Sequence, residues 1–228
     1  MRGSNILQSP RRAVWQVHNV NLSAAEMHSR DLPAQRGIWN VAIANTALVL
    51  GSSQKINVVD QEACKRANVE VAKRRTGGGA VYLALGEHLW VDVVVPRDDP
   101  LWSDDVVISP QWIGDAWSRA LTSLGMPQIS VHRTSIETST WSDLICFAGV
   151  GQGEVLIGGK KVVGISQRRT NKSARFQCFI HRSWAPEKFV HLFAPPRPSV
   201  EELSEMVAVI DGDLTHLLDA FVGALSEL

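Results

Sequence analysis

The chain has 228 residues, of which 45% are hydrophobic, and its 23 Lys and Arg residues balance its 23 Asp and Glu residues. A balanced charge argues against bulk nucleic-acid binding and a polybasic membrane anchor, and no apolar run reaches the length that spans a bilayer. The polar N-terminus lacks a signal-peptide core and the three cysteines form no CxxC pair, so reduced thiols and a cytoplasmic location are predicted. We expect a loose N-terminus over residues 1–12 and one domain over 13–228.

The first half of the chain alternates short helices and strands. Pro33 is predicted to end the first helix, Asn45-Thr46 to form a hairpin turn, and Asp60 to cap the second helix. Asp92 interrupts an apolar strand, and strand alternation favours an outward side chain, with a position facing a pocket as the alternative. The predicted elements are a helix at 22–32, strands at 38–44 and 47–51, a helix at 60–68, and strands at 69–72, 80–85 and 89–95.

The second half is richer in strands. Gly125 is predicted to end a long amphipathic helix, Gly158-Gly159 to form a tight hairpin, and Gly212 to interrupt the last helical segment. The predicted elements are a helix at 104–124, strands at 130–132, 144–148, 154–157, 161–167 and 175–180, and helical segments at 186–193 and 200–225. Together they predict an α+β fold, a mostly antiparallel sheet flanked by helices.

Two glycine-rich stretches carry the chemistry. The first reads Arg74-Arg75-Thr76-Gly77-Gly78-Gly79-Ala80-Val81-Tyr82, between two apolar runs. Three glycines permit positive φ and a close approach to a ligand, and arginines suit a carboxylate or phosphate. The stretch is not a P-loop, because no Gly-Lys-Ser/Thr closes it. It predicts a pocket for an acidic small molecule, with a simple hairpin turn as the alternative.

The second stretch runs over 158–167 and contains Lys160 and Lys161 at the start of a strand. Because strand residues alternate in direction, only one of these lysines can reach the same anion. Lys161 is the predicted one, and Lys160 is expected to face the opposite side. A solvated pair of lysines at a strand entry is the alternative.

The combination resembles the catalytic domain of the lipoate–protein ligase A and octanoyltransferase family over roughly residues 40–195. The first stretch is similar to that family's Arg-Arg-x-Ser/Gly-Gly-Gly-Ala-Val-Tyr signature, the second to its Gly-x-Lys-x-x-Gly-x-Ala/Ser segment, and Leu48 to Gln54 to its Leu-Gly-x-x-Gln strand end. The resemblance implies a class-II-synthetase-like biotin/lipoate ligase fold without a C-terminal accessory domain. It implies Lys161 as catalytic and an acyl- or nucleotide-binding set of Arg74, Arg75, Thr76, Gly77, Gly78, Gly79, Ala80, Tyr82, Gly164 and Ser166.

Two ways of activating the acyl group remain open. In the first, ATP with Mg²⁺ forms an acyl-adenylate, and Lys161 lies between phosphate and carboxylate. In the second, no cofactor is needed and Cys146, which resembles the Cys-Phe nucleophile of cysteine-dependent octanoyltransferases, carries the acyl group as a thioester. Cys146 also reads as an ordinary core residue, and residues 151–154 read Gly-Gln-Gly-Glu where the ligases have Gly-Arg-Asn-Asp.

The ligase is the preferred prediction, the octanoyltransferase the second and a non-catalytic lipoyl-binding module the third. The expected partners are lipoate or octanoate, an octanoyl-acyl carrier protein on the second route, and a lipoyl carrier domain of the dehydrogenase acyltransferase or glycine-cleavage H protein type. No bound metal, nucleic acid or membrane is expected. Arg168-Arg169 reads as a solvated strand end, or as a contact for an acidic lipoyl domain.

Overall fold

A computed structural model describes residues 14–228, so the loose N-terminus expected over 1–12 lies outside the described residues. Its larger sheet has seven strands in the order β1-β2-β6-β10-β9-β8-β7, and all neighbouring pairs are antiparallel except β1 with β2. These strands are β1 (Val17–Leu22), β2 (Gly37–Ile43), β6 (His88–Pro96), β7 (Ile129–Val131), β8 (Val155–Ile157), β9 (Lys160–Arg169) and β10 (Ser173–His181).

The smaller sheet has three strands in the order β4-β3-β5, with β3 (Ala47–Leu50) parallel to β4 (Glu70–Lys73) and antiparallel to β5 (Val81–Leu83). The prediction that Asn45-Thr46 closes a hairpin is therefore wrong. Both edges of β2 are already paired, with β1 and β6, so β3 cannot pair with it and leaves for the second sheet.

Five α-helices complete the described residues: α1 (Ala24–Ser29), α2 (Gln61–Arg66), α3 (Gln111–Ser123), α4 (Val200–Ser204) and α5 (Leu214–Leu225). Ser23 and Glu26 form a capping box at the start of α1, and the Asp60 carboxylate accepts from the Ala63 amide at 2.9 Å, which confirms the predicted cap. Gly125 follows α3 with a φ of +78°, a left-handed position that favours glycine.

The two faces of the larger sheet are covered differently. Helices α3 and α5 pack on one face, where the Trp117 and Phe221 rings stack with centroids 3.7 Å apart. Burial of each such side chain contributes about 1.5–3 kcal/mol. The smaller sheet and α1 cover the other face, where Trp39, Trp90 and Phe179 are buried. The mixed sheets with flanking helices confirm the predicted α+β class.

Several predicted boundaries are wrong for local reasons. Residues 144–148 are not a strand, because Cys146–Ala148 forms a 3-10 helix. The helix expected from 104 begins only at Gln111, after Pro110. The first predicted helix is shorter than expected, because Leu22 still belongs to β1 and the helix ends at Ser29, so Pro33 is not the residue that ends it. The segment 186–193 forms two single-turn 3-10 helices. The predicted hairpin at Gly158-Gly159 is confirmed, with φ values of +56° and +83°.

Candidate active site

The glycine turn lies between β4 and β5 and packs directly on the segment that contains Cys146. A Cβ at Gly79 would lie 2.6 Å from the Ile145 backbone, so only glycine permits this approach. Ala80 and Cys146 are joined by a backbone hydrogen bond of 2.9 Å. Gly78 has a φ of +92°, whereas Gly77 and Gly79 lie outside the left-handed region. Within residues 14–228 the amides of the three glycines donate no hydrogen bond, and Gly77 and Gly78 are exposed whereas Gly79 is buried.

Arg74 is a buried cation with unused donors. Its Nη2 donates to the carbonyl oxygens of Gly77 and Gly79 at 2.8 Å each. Its Nε and Nη1 are buried and have no hydrogen-bond partner among the described residues. A buried charged donor without a partner is costly, so an acceptor brought by a ligand would stabilise this arrangement.

A narrow apolar cavity lies between the two sheets. Its lining combines aliphatic and aromatic side chains with a few polar groups, and Arg74 and Cys146 are among them. The lining residues from the smaller sheet and α1 are His28, Val49, Val81 and Leu83, and those from the larger sheet and the 3-10 helix are Trp90, Phe147, Gly164, Ile165, Ser166, Gln177, Cys178 and Phe179. The composition suits an apolar chain that ends in a polar group.

Cys146 is half-buried and begins the 3-10 helix. Its Sγ lies 3.8 Å from the point that a Cβ at Gly78 would occupy. The thiol therefore lies beside the glycine turn and lines the cavity. By contrast, Cys64 and Cys178 are buried, and burial raises the pKa of both thiols, which makes them poor nucleophiles.

Lys161 has only 2% of its side chain exposed, and its ammonium is fully engaged. The Nζ donates to the Glu154 carboxylate at 2.9 Å and to the Cys146 carbonyl at 2.8 Å, and it lies 4.9 Å from the centroid of the Phe147 ring. Lys160 points the other way and forms an exposed ion pair with Glu205, as strand alternation predicts. Lys161 thus lies behind Cys146 and does not line the cavity.

Glu154 is a site residue that the sequence reasoning missed. One carboxylate oxygen accepts from Lys161 and from the Gly151 amide at 2.6 Å, and the other accepts from the Ile165 amide at 3.0 Å. In the sequence it is only the last residue of Gly-Gln-Gly-Glu, where the ligases have Gly-Arg-Asn-Asp. The signal that could have found it is its acidic character seven residues before a buried lysine, across the β8–β9 hairpin.

Thr76, Arg75 and Tyr82, three further predicted site residues, lie in three different surroundings. Thr76 donates to the Ser166 hydroxyl at 3.2 Å, which joins the glycine turn to β9. Arg75 is turned outward, donating to Asp31 at 2.6 Å and to the Ser29 carbonyl. Tyr82 stacks on Phe189 with centroids 5.2 Å apart and does not line the cavity.

The outward position expected for Asp92 is wrong. Asp92 is fully buried, and it accepts hydrogen bonds from Trp90 at 2.8 Å and from the Arg175 guanidinium. Arg175 also donates to the carbonyl oxygens of Met27 and Arg30, so the ion pair holds α1 against the sheet. Strand alternation carries no information here because both faces of β6 are covered.

His28, the cavity residue on α1, depends on this anchoring. Its ring stacks on Trp90 with centroids 4.7 Å apart. Burial, and after it the charges of Arg175 and Arg74, lower the His28 pKa from 6.5 to about 3. A neutral imidazole therefore lines the cavity at physiological pH.

Comparison with known proteins identifies the family. A family model described as the lipoyl protein ligase A/B catalytic domain matches residues 18–221. The chain belongs to this family of enzymes. It is similar to octanoyltransferase LipM of Clostridioides difficile, with 25% identity over 156 residues, 68% of this chain and 57% of the relative. LipM of Exiguobacterium sp. is 28% identical over 115 residues, 49% of this chain and 41% of the relative, so the chain spans about half the length of these curated relatives.

Solved structures show the fold. A lipoate-protein ligase A bound with ATP superposes with a TM-score of 0.68 at 18% identity, covering 93% of this chain and 84% of that chain. A lipoate protein ligase from Thermoplasma acidophilum gives 0.70 at 17% identity, with 93% and 82% covered. Biotin protein ligase from Aquifex aeolicus gives 0.52 at 11% identity, with 93% and 69% covered. The class-II-synthetase-like biotin/lipoate ligase fold is confirmed. Among residues 14–228, no helix has the length and apolar character needed to cross a membrane.

Proposed function

We propose that this protein transfers an octanoyl group from a carrier thioester to a lysine of a lipoyl carrier domain, through a covalent thioester on Cys146. One observation carries the proposal. The Cys146 thiol lines an apolar cavity beside unused glycine amides and the unused donors of Arg74, whereas Lys161 is bound to Glu154 and to the Cys146 carbonyl. The thioester route replaces the preferred sequence-based prediction, the ligase.

The first half-reaction would use these groups in sequence. The Cys146 thiol loses its proton and attacks the carbonyl carbon of the donor thioester, a new C–S bond forms, and the donor's own C–S bond breaks to release a thiolate, which takes up a proton from water. Negative charge develops on the carbonyl oxygen in the tetrahedral intermediate. The amides of the glycine turn and the free Arg74 donors are the groups that would stabilise it, because they are fixed in place before the reaction.

The second half-reaction regenerates the thiol. The amine of the acceptor lysine attacks the Cys146 thioester, an amide bond forms, and the proton lost from the amine accompanies departure of the cysteine sulfur. Lys161 would act as a positioning residue in both steps. Its bond to the Cys146 carbonyl fixes the short 3-10 helix, and the Phe147 ring packs against Gly164 at the side of the cavity.

The lining of the cavity is the reason for proposing a saturated acyl chain as the transferred group. The residues that line it beyond Cys146 are mainly apolar, including Val49, Leu83, Trp90 and Phe179. An alkyl chain is stabilised there by about 0.8 kcal/mol for each buried CH₂ group. The two curated relatives are named octanoyltransferases, which agrees with this substrate. One structural relative is described with its E2 lipoyl domain, and a lipoyl domain is the acceptor we propose.

A ligase that uses ATP is the second candidate, and the unused donors of Arg74 favour it because they would suit a carboxylate or phosphate. A structural relative is described as bound with ATP. The surroundings of Lys161 fit a nucleotide less well, since the Glu154 carboxylate already takes its charge. If the nucleotide is bound, Arg74 and the glycine amides would hold its phosphates, and ATP with Mg²⁺ would supply the activation of the carboxylate.

A comparison of donors tests the proposal. An apo lipoyl domain is incubated with the protein and with either octanoyl-carrier thioester alone, or octanoate, ATP and Mg²⁺, and the acceptor mass is recorded. We expect modification with the thioester, no modification with octanoate and ATP, and loss of transfer in Cys146→Ser. Efficient transfer from octanoate and ATP that survives in Cys146→Ser would establish the ligase instead.

A further inference from the structure

Two arginines meet at the carboxylate of Asp31, in the loop that follows α1. Arg75 Nη1 donates to Asp31 Oδ1 at 2.6 Å, and Arg168 Nη1 lies 3.4 Å from the same oxygen. The Asp31 side chain is 80% exposed, whereas the Arg75 and Arg168 side chains are 38% and 30% exposed. Two guanidinium groups are therefore held together at the surface, around one oxygen atom.

Arg168 lies close to the cavity along β9. In β9, Ser166 lines the cavity and Arg168 is two residues further along; in β10, Gln177 lines the cavity and Arg175 is two residues before it. Residues two apart on a strand share a face and lie about 6.6 Å apart. Arg168 and Arg175 are direct partners in the β9–β10 ladder. The cavity and the arginines therefore follow one another along the same face of the sheet.

Arg168 and Asp31 line an open groove of about 510 Å³, and Arg75 adjoins it through its bond to Asp31. Its charged lining consists of Arg30, Arg168, Lys172 and Arg175 against the single carboxylate of Asp31. Arg175 forms an ion pair with the buried Asp92, which neutralises its charge. The other cations that line the groove are Arg30, Arg168 and Lys172. The groove therefore offers a positive potential on the same face of the sheet as the acyl cavity.

Asp31 is a weak occupant of this position. Its pKa is held below the usual range, first by the hydrogen bond from Arg75 and then by the charge of that residue, so it is ionised at neutral pH. It nevertheless supplies one shared oxygen to two guanidinium groups. An exposed ion pair contributes little to stability, so a competing anion can replace it at small cost. A phosphate would give each guanidinium an oxygen of its own.

We infer that Arg75 and Arg168 form an anion-binding subsite for the phosphate of the acyl donor's pantetheine arm, and that Asp31 occupies it until the donor arrives. The inference rests on the proposed thioester route, because a carrier thioester holds its acyl group at one end of such an arm and a phosphate at the other. A concave groove on the same face of the sheet as the cavity accommodates a linear arm better than the face of a folded lipoyl domain.

A pair of truncated donors tests the subsite. Octanoyl-4′-phosphopantetheine and octanoyl-pantetheine differ only in the phosphate, and the rate of Cys146 acylation at low donor concentration gives kcat/KM for each. In the native protein we expect the phosphorylated donor to be favoured on the order of tenfold. Arg168→Gln is expected to lower this ratio toward one. Arg169→Gln is the matched control, because Arg169 points to the other face, stacks on Trp102 and donates to the Ser103 carbonyl.

Asp31→Asn tests the same subsite in the opposite direction. Removal of the competing carboxylate is expected to raise the preference for the phosphorylated donor by roughly threefold. Equal acylation by both donors in the native protein would overturn the subsite while leaving the Cys146 thioester intact, whereas no acylation by either donor would count against the proposed function itself. An Arg168→Gln variant that keeps the donor ratio and only raises the KM for the lipoyl domain would also overturn the inference. It would show that the arginines bind the acceptor domain and not the donor.

Discussion

Lys160 and Lys161 are neighbours in β9, yet their ion pairs differ in almost every physical respect. The Lys161–Glu154 pair has side chains 2% and 5% exposed, whereas the Lys160–Glu205 pair has side chains 43% and 84% exposed. Water screens the charges of the exposed Lys160–Glu205 pair. The charges of the buried Lys161–Glu154 pair have little contact with water, so each is stabilised mainly by the other. Lys161 of the buried pair also donates a hydrogen bond to the Cys146 carbonyl, so this pair helps to position the candidate site.

The largest expected effect is on Lys161. Lys161→Met leaves the buried Glu154 carboxylate without its cation and is expected to cost about 3–5 kcal/mol of stability and to abolish acyl transfer. Lys160→Met is the control and should leave both the unfolding midpoint and transfer unchanged. Denaturant unfolding and lipoyl-domain acylation measure the two effects.

A double variant separates stability from positioning. Lys161→Met combined with Glu154→Gln removes both buried charges and should recover most of the lost stability, because neither charge is left unpaired. Transfer should remain low, since nothing then holds the Cys146 carbonyl. Full recovery of transfer would show that Lys161 serves only the fold.

A pH titration extends the comparison to a buried residue of the cavity. The unfolded chain takes up a proton at His28 near pH 6.5 and the folded chain near 3, so the unfolded state binds more protons between these values. Stability from this residue is present above pH 6.5 and is lost as the pH falls, by about 1.4 kcal/mol per pH unit. His28→Gln should reduce the slope of the unfolding free energy against pH between 6.5 and 5, by an amount that corresponds to about one bound proton. An unchanged slope would mean that His28 does not titrate in this way.

Alanine substitution of Gly78 or Gly86 is expected to lower stability by less than the loss of Lys161. Gly78 and Gly86 have φ values of +92° and +76°, so alanine at either position should cost about 1–2 kcal/mol. Only at Gly78 would the new Cβ approach the site, at 3.1 Å from Arg74 Nη2 and 3.8 Å from the Cys146 Sγ; at Gly86 it meets open space. Gly78→Ala should therefore slow Cys146 acylation while Gly86→Ala does not, as measured by intact mass over time. Equal rates would reduce the glycine turn to a structural element.

Local patterns carried most of what could be predicted. The Asp60 cap, the Gly158-Gly159 hairpin and the opposite directions of Lys160 and Lys161 each follow from the preference or periodicity of a few neighbouring residues. The family resemblance added the fold, and it brought Arg74 and Cys146 together as candidates although they are 72 positions apart.

The errors came from partners that are distant in sequence. Asp92 was expected outside because nothing near it in the chain reveals Arg175, the residue that makes burial of its charge possible. Asn45-Thr46 has turn-forming residues, but the pairing of β2 with two other strands decides where β3 goes. Arg75 stays a predicted binding residue, although its ion pair with the distant Asp31 places its side chain at the surface and not in the lining of the cavity.

The central claim is the thioester on Cys146, and trapping it is the most direct test. The protein is mixed with octanoyl-carrier thioester, without ATP and without a lipoyl domain, then acid-quenched, digested and examined by mass spectrometry. The account predicts one octanoyl group on the peptide that contains Cys146, its absence in Cys146→Ala, and its loss when lipoyl domain is added. Transfer to the lipoyl domain at the native rate by Cys146→Ala would contradict the account.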